Sequence, residues 1–173
     1  MPGEITFKPT EADYISAVRA NFLCSLRRPP ALRNLAIITA LGSMAGVGVG
    51  WLGGFDGFLA GLGGAAYGAF VWTGICVGTL LLLPHRAGRL FRQHRSIHQT
   101  FVYQWSDDGL ECAFETSNVR TPWSDFRGFR NTEPAMLLYM NDHLFQFLPH
   151  RALSDEASRD LRETIARRAV PRY

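Results

Sequence analysis

Charge is what the middle of this 173-residue chain lacks. Between Leu35 and Leu83 the one charged residue is Asp56. A run of that length without charge excludes an ordinary solvated element and points to membrane spans. Acids are missing on both sides of it. Residues 14–34 carry Arg19, Arg27, Arg28 and Arg33, and residues 84–100 carry Arg86, Arg89, Arg92 and Arg95, with no acid in either stretch. Residues 101–173 hold nine basic against eleven acidic residues, so the formal net charge of +3 belongs to the flanks of the apolar run. This argues against a nucleic-acid partner, which wants a basic stripe on a folded surface. Cysteine is scarce as well. Cys24, Cys76 and Cys112 are odd in number and far apart, which gives no disulfide framework, no zinc pattern and no metal site. A reducing compartment suits Cys24 and Cys112. The first 30 residues are polar and include Glu4, Glu11 and Asp13, which predicts no cleavable signal peptide.

What is abundant is equally segregated. The hydrophobic share of 47% and the mean hydropathy of −0.02 would suit a soluble protein, but the apolar residues are concentrated in one run. Thirteen of the seventeen glycines also lie between Gly42 and Gly78. A single helix over residues 35–83 would measure roughly 74 Å at about 1.5 Å per residue, more than twice a hydrocarbon core of about 30 Å. Two crossings are therefore predicted, Leu35–Gly53 and Phe58–Leu83, turning at Gly53-Gly54-Phe55-Asp56-Gly57. Asp56 at the bilayer centre would cost about 2.5–3.5 kcal/mol, which places it at the far interface. Arg27, Arg28, Arg33, Arg86, Arg89, Arg92 and Arg95 flank the run and the turn has no basic residue. The positive-inside rule then predicts a multi-pass protein of the bacterial plasma (inner) membrane with both termini cytoplasmic.

Gly42, Gly46, Gly50 and Gly54 recur every four residues, and Gly57 with Gly61, Gly64 with Gly68, and Gly74 with Gly78 repeat the spacing. Small residues at this spacing let membrane helices approach closely. Packing of the hairpin on itself, a homo-oligomer, or capture of a partner helix all remain open.

Thr10-Glu11-Ala12-Asp13 predicts a helix start capped by Thr10, followed by Tyr14, Ile15, Val18, Phe22 and Leu26 at helical spacing and ended by Pro29-Pro30. Ile5 to Lys8 alternates like a short strand. After Pro84, residues 85–95 read as a basic amphipathic helix with Ala87, Leu90, Phe91 and Ile97 toward one side. Contact with anionic headgroups and a purely topogenic flank are both open for it. His94 and His98 are spaced like paired metal ligands but have no accompanying carboxylate or thiol, so they read as an ordinary polar face. From Thr100 the pattern becomes short alternating runs: 101–105, 110–115, 119–123, 126–131, 135–140 and 144–148, with a turn at Ser106–Gly109 and a hairpin signal at Asn141-Asp142. Ser154-Asp155-Glu156 caps a last helix with Ala157, Leu161 and Ile165 on one stripe. Four segments follow: 1–34, a strand and amphipathic helix; 35–83, a transmembrane hairpin; 84–99, a basic juxtamembrane helix; and 100–173, a β-rich domain. The class is an α+β membrane protein in which a two-helix hairpin precedes a small antiparallel sheet and a C-terminal helix.

Several stretches together resemble the YcxB-like membrane protein family: Thr10–Tyr14, Leu83-Pro84-His85-Arg86, Ser106–Leu110, Pro122-Trp123-Ser124-Asp125-Phe126 and Phe147–Leu153, where Pro149 precedes His150. The resemblance implies a membrane hairpin with a β-rich cytoplasmic domain similar to bacterial pleckstrin-homology-like modules. It implies no catalytic residues and no cofactor. On the residues themselves, Trp123 reads as core and Ser124 with Asp125 as a turn cap. A nucleophilic Ser124 would need a positioned histidine; none is nearby in sequence, and folding could bring His143 or His150 close. The expectation is a non-enzyme that binds a protein segment or a lipid headgroup beside the bilayer. The alternative is an assembly or immunity-type protein acting through its transmembrane helices.

Overall fold

The computed structural model describes residues 3–114, 117–142, 144–168 and 170–171, and of Arg95 and Ser96 only the backbone. The chain divides into two compact units: residues 21–84, and residues 1–20 together with 85–173.

The first unit is built on two long helices, α2 (Pro29–Gly53) and α3 (Gly57–Gln93). The Pro29-Pro30 pair was expected only to stop the helix before it. The structure shows the pair opening α2 at its first positions, after an extended Arg28, so α2 starts at Pro29 and not at Leu35. Proline suits that place because the first helical N–H groups have no partner to lose. Gly54 ends α2 in the left-handed region, φ 71°, and its N–H donates to the Gly50 carbonyl. Asp56, the one charge of the run, caps α3: its Oδ1 accepts from the N–H groups of Phe58 (2.8 Å) and Leu59 (3.1 Å). Two otherwise orphaned donors are thereby satisfied.

The expected break at Pro84 is absent, because α3 is one helix from Gly57 to Gln93 with Pro84 inside it. The basic segment assigned to 84–99 is thus mostly the end of α3, followed by a 3-10 turn, Arg95–His98. An interior proline forfeits one ladder bond, and membrane helices tolerate this better than soluble ones. Both helices are long and apolar enough to cross a bilayer. Only 6% and 11% of their most apolar windows are buried, with Leu41, Met44, Trp51, Leu52, Phe70 and Leu81 exposed. A core helix of a soluble protein would have these residues covered. The chain is a membrane-associated protein.

The second unit holds two antiparallel sheets. The first has the order β1-β2-β3-β4, with β1 (Gly3–Phe7), β2 (Phe101–Trp105), β3 (Gly109–Ala113) and β4 (Asn118–Pro122). The second has the order β5-β6-β7, with β5 (Gly128–Asn131), β6 (Ala135–Tyr139) and β7 (Phe145–Pro149). Helix α1 (Glu11–Ser25) follows β1, and α4 (Asp155–Arg167) closes the chain. The class is α+β, as the sequence predicts, but the division at residue 34 does not hold. Ile5 pairs with Tyr103 and Phe7 with Phe101, so β1 is a strand of the same sheet as β2.

Ile5, Phe7, Trp105, Leu110, Leu148 and Leu161 share one core with Met136 and Leu138. All five β6 residues are buried, because Ala135, Leu137 and Tyr139 face the opposite way and pack with Ala17 of α1. A strand covered on both faces reads as a continuous apolar run and not as an alternation, which is what Ala-Met-Leu-Leu-Tyr is. Ser154 caps α4 by accepting from the Ala157 N–H at 3.1 Å, and Leu161 and Ile165 on that helix are fully buried.

Candidate functional site

The hairpin glycines separate into two sets. A Cβ on Gly42 would strike the Gly64 carbonyl oxygen, one on Gly46 the Ala60 carbonyl oxygen, and one on Gly64 the Gly42 carbonyl oxygen. A Cβ on Gly50 would come 2.6 Å from the Ala60 methyl, on Gly61 2.8 Å from Val47 Cγ2, and on Gly68 2.7 Å from the Ile38 carbonyl oxygen. These six residues let the two backbones meet. Gly54 and Gly57, predicted with them, do something else. Gly54 supplies the left-handed cap, and Gly57 has nothing nearer than 3.9 Å. Gly74 and Gly78 face open space.

Of the flanking arginines, Arg27, Arg33, Arg86, Arg89 and Arg92 are exposed and Arg28 is half-buried. The Arg95 side chain lies outside the described residues. On the end of α3, Ala87 and Phe91 are buried, but Leu90 is exposed, contrary to the predicted apolar side. Arg92 pairs with Glu11 of α1 at 2.6 Å, and a Cβ on Gly88 would strike Glu11 Oε1. Arg86 and Arg89 have no such described partner.

Two stretches far apart in sequence, Thr10–Tyr14 and Phe147–Leu153, meet in space. Thr10 and Asp13 form a reciprocal cap: the Thr10 N–H donates to Asp13 Oδ2 (2.8 Å) and the Asp13 N–H to Thr10 Oγ1 (3.2 Å). The same carboxylate takes a two-pronged contact from Arg151, through Nε (2.8 Å) to Oδ1 and through Nη2 to Oδ2. Arg151 Nη2 also donates to the Lys8 carbonyl at 3.0 Å. The Tyr14 ring lies 6.2 Å from that of Phe147 and 6.0 Å from that of Phe91. Arg151 and Thr10 together hold the Asp13 carboxyl down at about 2, from an ordinary 3.8, against the opposing effect of burial.

A carboxyl depressed by folding stabilises the fold above its unfolded value and ceases to do so as pH falls through its folded value. We expect Asp13 to contribute up to ~2 kcal/mol above about pH 4, lost between about pH 4 and pH 2. Urea unfolding of the full chain in detergent micelles, wild type against Asp13→Asn, checks this. The stability gap between the two should be constant above pH 5 and close toward pH 2.

Pro122-Trp123-Ser124-Asp125-Phe126 and Ser106–Leu110 also converge. Trp123 is buried and its Nε1–H donates to the Ser106 carbonyl at 2.8 Å. Trp105 is buried and its Nε1–H donates to Asp160 Oδ2 on α4 at 2.7 Å. Two indoles thus brace the β2–β3 turn, one against the 3-10 turn Trp123–Asp125 and one against α4. Pro149 ends β7 fully buried. Ser124 is exposed and bonds Asp125 at 3.2 Å. His150 Nε2 faces the Thr132 carbonyl at 2.9 Å, away from Ser124 in its bonding, and His143 lies outside the described residues.

Between the β2–β3 turn and α4 lies an open cleft of about 480 Å³ floored by Trp105. Ser106, Asp107 and Asp108 form one wall and Asp160, Thr164 and Arg167 the other. The last three are spaced i, i+4, i+7, so one face of α4 turns inward. Arg168 sits 3.0 Å from Asp107 and holds its carboxyl below its ordinary value. Arg120 sits 2.9 Å from Asp108. The sequence did not single out Asp160 or Arg167, because their only local signal is the polar face of an amphipathic helix. Nor did it join Asp13 to Arg151, which are 138 positions apart.

Residues 105–165 match the profile of the family described as YcxB-like protein. The resemblance read from the sequence therefore holds over the segment that contains Trp105, Trp123, all the cleft residues but Arg167, and most of α4. No curated protein and no solved structure matches the chain.

Proposed function

We propose that this protein is a membrane-tethered binding module whose α2–α3 hairpin anchors it and whose exposed Arg86 and Arg89 contact anionic lipid headgroups. The observation that carries this reading is the continuity of α3. Arg86 and Arg89 lie three and six positions past Leu83 on the same helix, about 4.5 and 9 Å farther along its axis. With Leu83 at the hydrocarbon edge, both guanidiniums fall in the headgroup layer. Each is expected to contribute about 1 kcal/mol toward an anionic surface. Both termini lie on the cytoplasmic side of a bacterial plasma membrane in this reading, since every arginine flank is on that side. In this reading the two antiparallel sheets and the C-terminal helix serve as a pleckstrin-homology-like scaffold for binding. The protein is not an enzyme in this reading, and nucleic acid has no part in it.

Lipid retention tests it. The full chain is reconstituted in an equimolar mixture of phosphatidylcholine and phosphatidylglycerol, extracted, and its bound lipid counted. Phosphatidylglycerol should be enriched on the wild type. The Arg86→Gln, Arg89→Gln pair should lower that preference by about 30-fold, two contacts of about 1 kcal/mol each. Equal retention by both proteins would overturn the reading.

Assembly through the transmembrane glycines has less support, because Gly46 and Gly50 already meet α3 of the same chain.

A further inference from the structure

The cleft between the β2–β3 turn and α4 is not used by the lipid contact. Its volume, about 480 Å³, is within the range of small-ligand sites, roughly 300–1,000 Å³. Its walls are polar, so it does not suit an acyl chain. Its charges are unequally compensated. Asp107 has Arg168 at 3.0 Å and Asp108 has Arg120 at 2.9 Å. Asp160 has only a neutral partner, the Trp105 indole N–H on Oδ2. Among the described residues no cation lies within ion-pair distance of it.

We infer that this cleft binds one monovalent organic cation, a guanidinium or primary ammonium group, on the Asp160 carboxylate. Asp107 and Asp108 each carry a guanidinium and Arg167 also stands near Asp107, so Asp160 is the single carboxylate of the cleft with no ion pair among the described residues. That matches an organic cation better than a divalent metal, which would need several ligating carboxylates at once. Asp160 Oδ2 is occupied by the indole, so Oδ1 is the oxygen offered to the ligand. Ser106 and Thr164 line the same cleft, and their hydroxyls already accept from the Asp108 N–H and from Arg167. Charge-assisted pairing of this kind is among the stronger hydrogen-bonding contacts. Arg167 also lines the cleft, bonded to the Thr164 hydroxyl at 3.1 Å and 4.0 Å from Asp107. Among the described residues that line the cleft it is the one cation. The two tryptophan hydrogen bonds hold both walls, so the site exists before the ligand arrives.

The cation has two sources: a free amine or guanidine, and an arginine or lysine side chain of a partner protein. The test uses the full chain in lipid nanodiscs. One arm titrates n-butylguanidine, a small guanidine with one charge, and the other an N-acetylated, C-amidated Gly-Gly-Arg-Gly-Gly peptide, each followed by calorimetry. Saturable binding of either probe is expected. Tighter binding of n-butylguanidine indicates a free cation as the source, and tighter binding of the peptide indicates a protein. Asp160→Asn keeps an oxygen for the Trp105 N–H and removes the charge, and it should weaken the bound probe by about tenfold or more. Arg167→Gln should strengthen it severalfold. A general loss of fold cannot move two variants in opposite directions. No saturable binding of either probe, or equal binding to wild type and Asp160→Asn, would overturn the inference.

Discussion

Removing residues 1–10, and with them β1, should leave the two-sheet unit without a cooperative fold. β1 pairs along its whole length with β2, and it places Ile5 and Phe7 in the main core. Its loss strips one edge from the first sheet and uncovers Tyr103 and Trp105, which are otherwise buried. Burial of large side chains dominates stability here, and one truncation alone is costly. Phe7→Ala should destabilise by about 3–5 kcal/mol, because the Phe7 ring stacks on Tyr103 at 5.8 Å and meets Phe101 edge-on at 6.0 Å. That is a large share of a domain stability of about 5–15 kcal/mol. The same logic applies to residues 100–173 expressed alone, which lack β1 and also Ala17 of α1, the cover of the outer face of β6. Dispersion of amide resonances measures both. Spectra of the shortened chains as well dispersed as that of residues 1–20 and 85–173 within the whole protein would show β1 to be dispensable.

Gly46→Leu should separate α2 from α3 over the middle of the hairpin. Any Cβ at Gly46 meets the Ala60 carbonyl oxygen, a backbone atom that a rotamer change cannot move aside. Without hydrophobic drive between helices in lipid, association depends on this close packing. The control is Gly48→Leu on the same helix, where a Cβ meets nothing within 4 Å. Spin labels on the exposed Val49 and Leu62, with Cys24, Cys76 and Cys112 replaced, report the interhelix distance. Gly46→Leu should broaden and lengthen that distribution by several ångströms, about the thickness of the added side chain, and Gly48→Leu should leave it unchanged. Identical distributions for the two variants would assign the close approach to the connecting turn alone.

Part of this architecture was legible because its signals are local. An uncharged run too long for one crossing requires two helices, and Asp56 beside glycines fixes their turn. Thr10 and Ser154 announce helix starts by chemistry that acts within three residues. The strands from 101 to 148 alternate or run apolar between turn residues, and their boundaries in the structure differ by only a few positions. Pro84 misled because a proline is locally a helix breaker. Its cost is one hydrogen bond and a steric clash, and α3 continues through it.

The sequence alone determined the pair of long apolar helices, the α+β class and the likeness of residues 105–165 to the YcxB-like family, since each rests on composition or on patterns within a few turns of chain. Only the tertiary structure decided that β1 belongs with β2, that α1 covers β6, that Asp13 meets Arg151, and which glycines touch. It also brought Asp160 opposite the Ser106–Gly109 turn. These are pairings between residues tens of positions apart or more, and local periodicity carries no information about which distant face a buried face will meet.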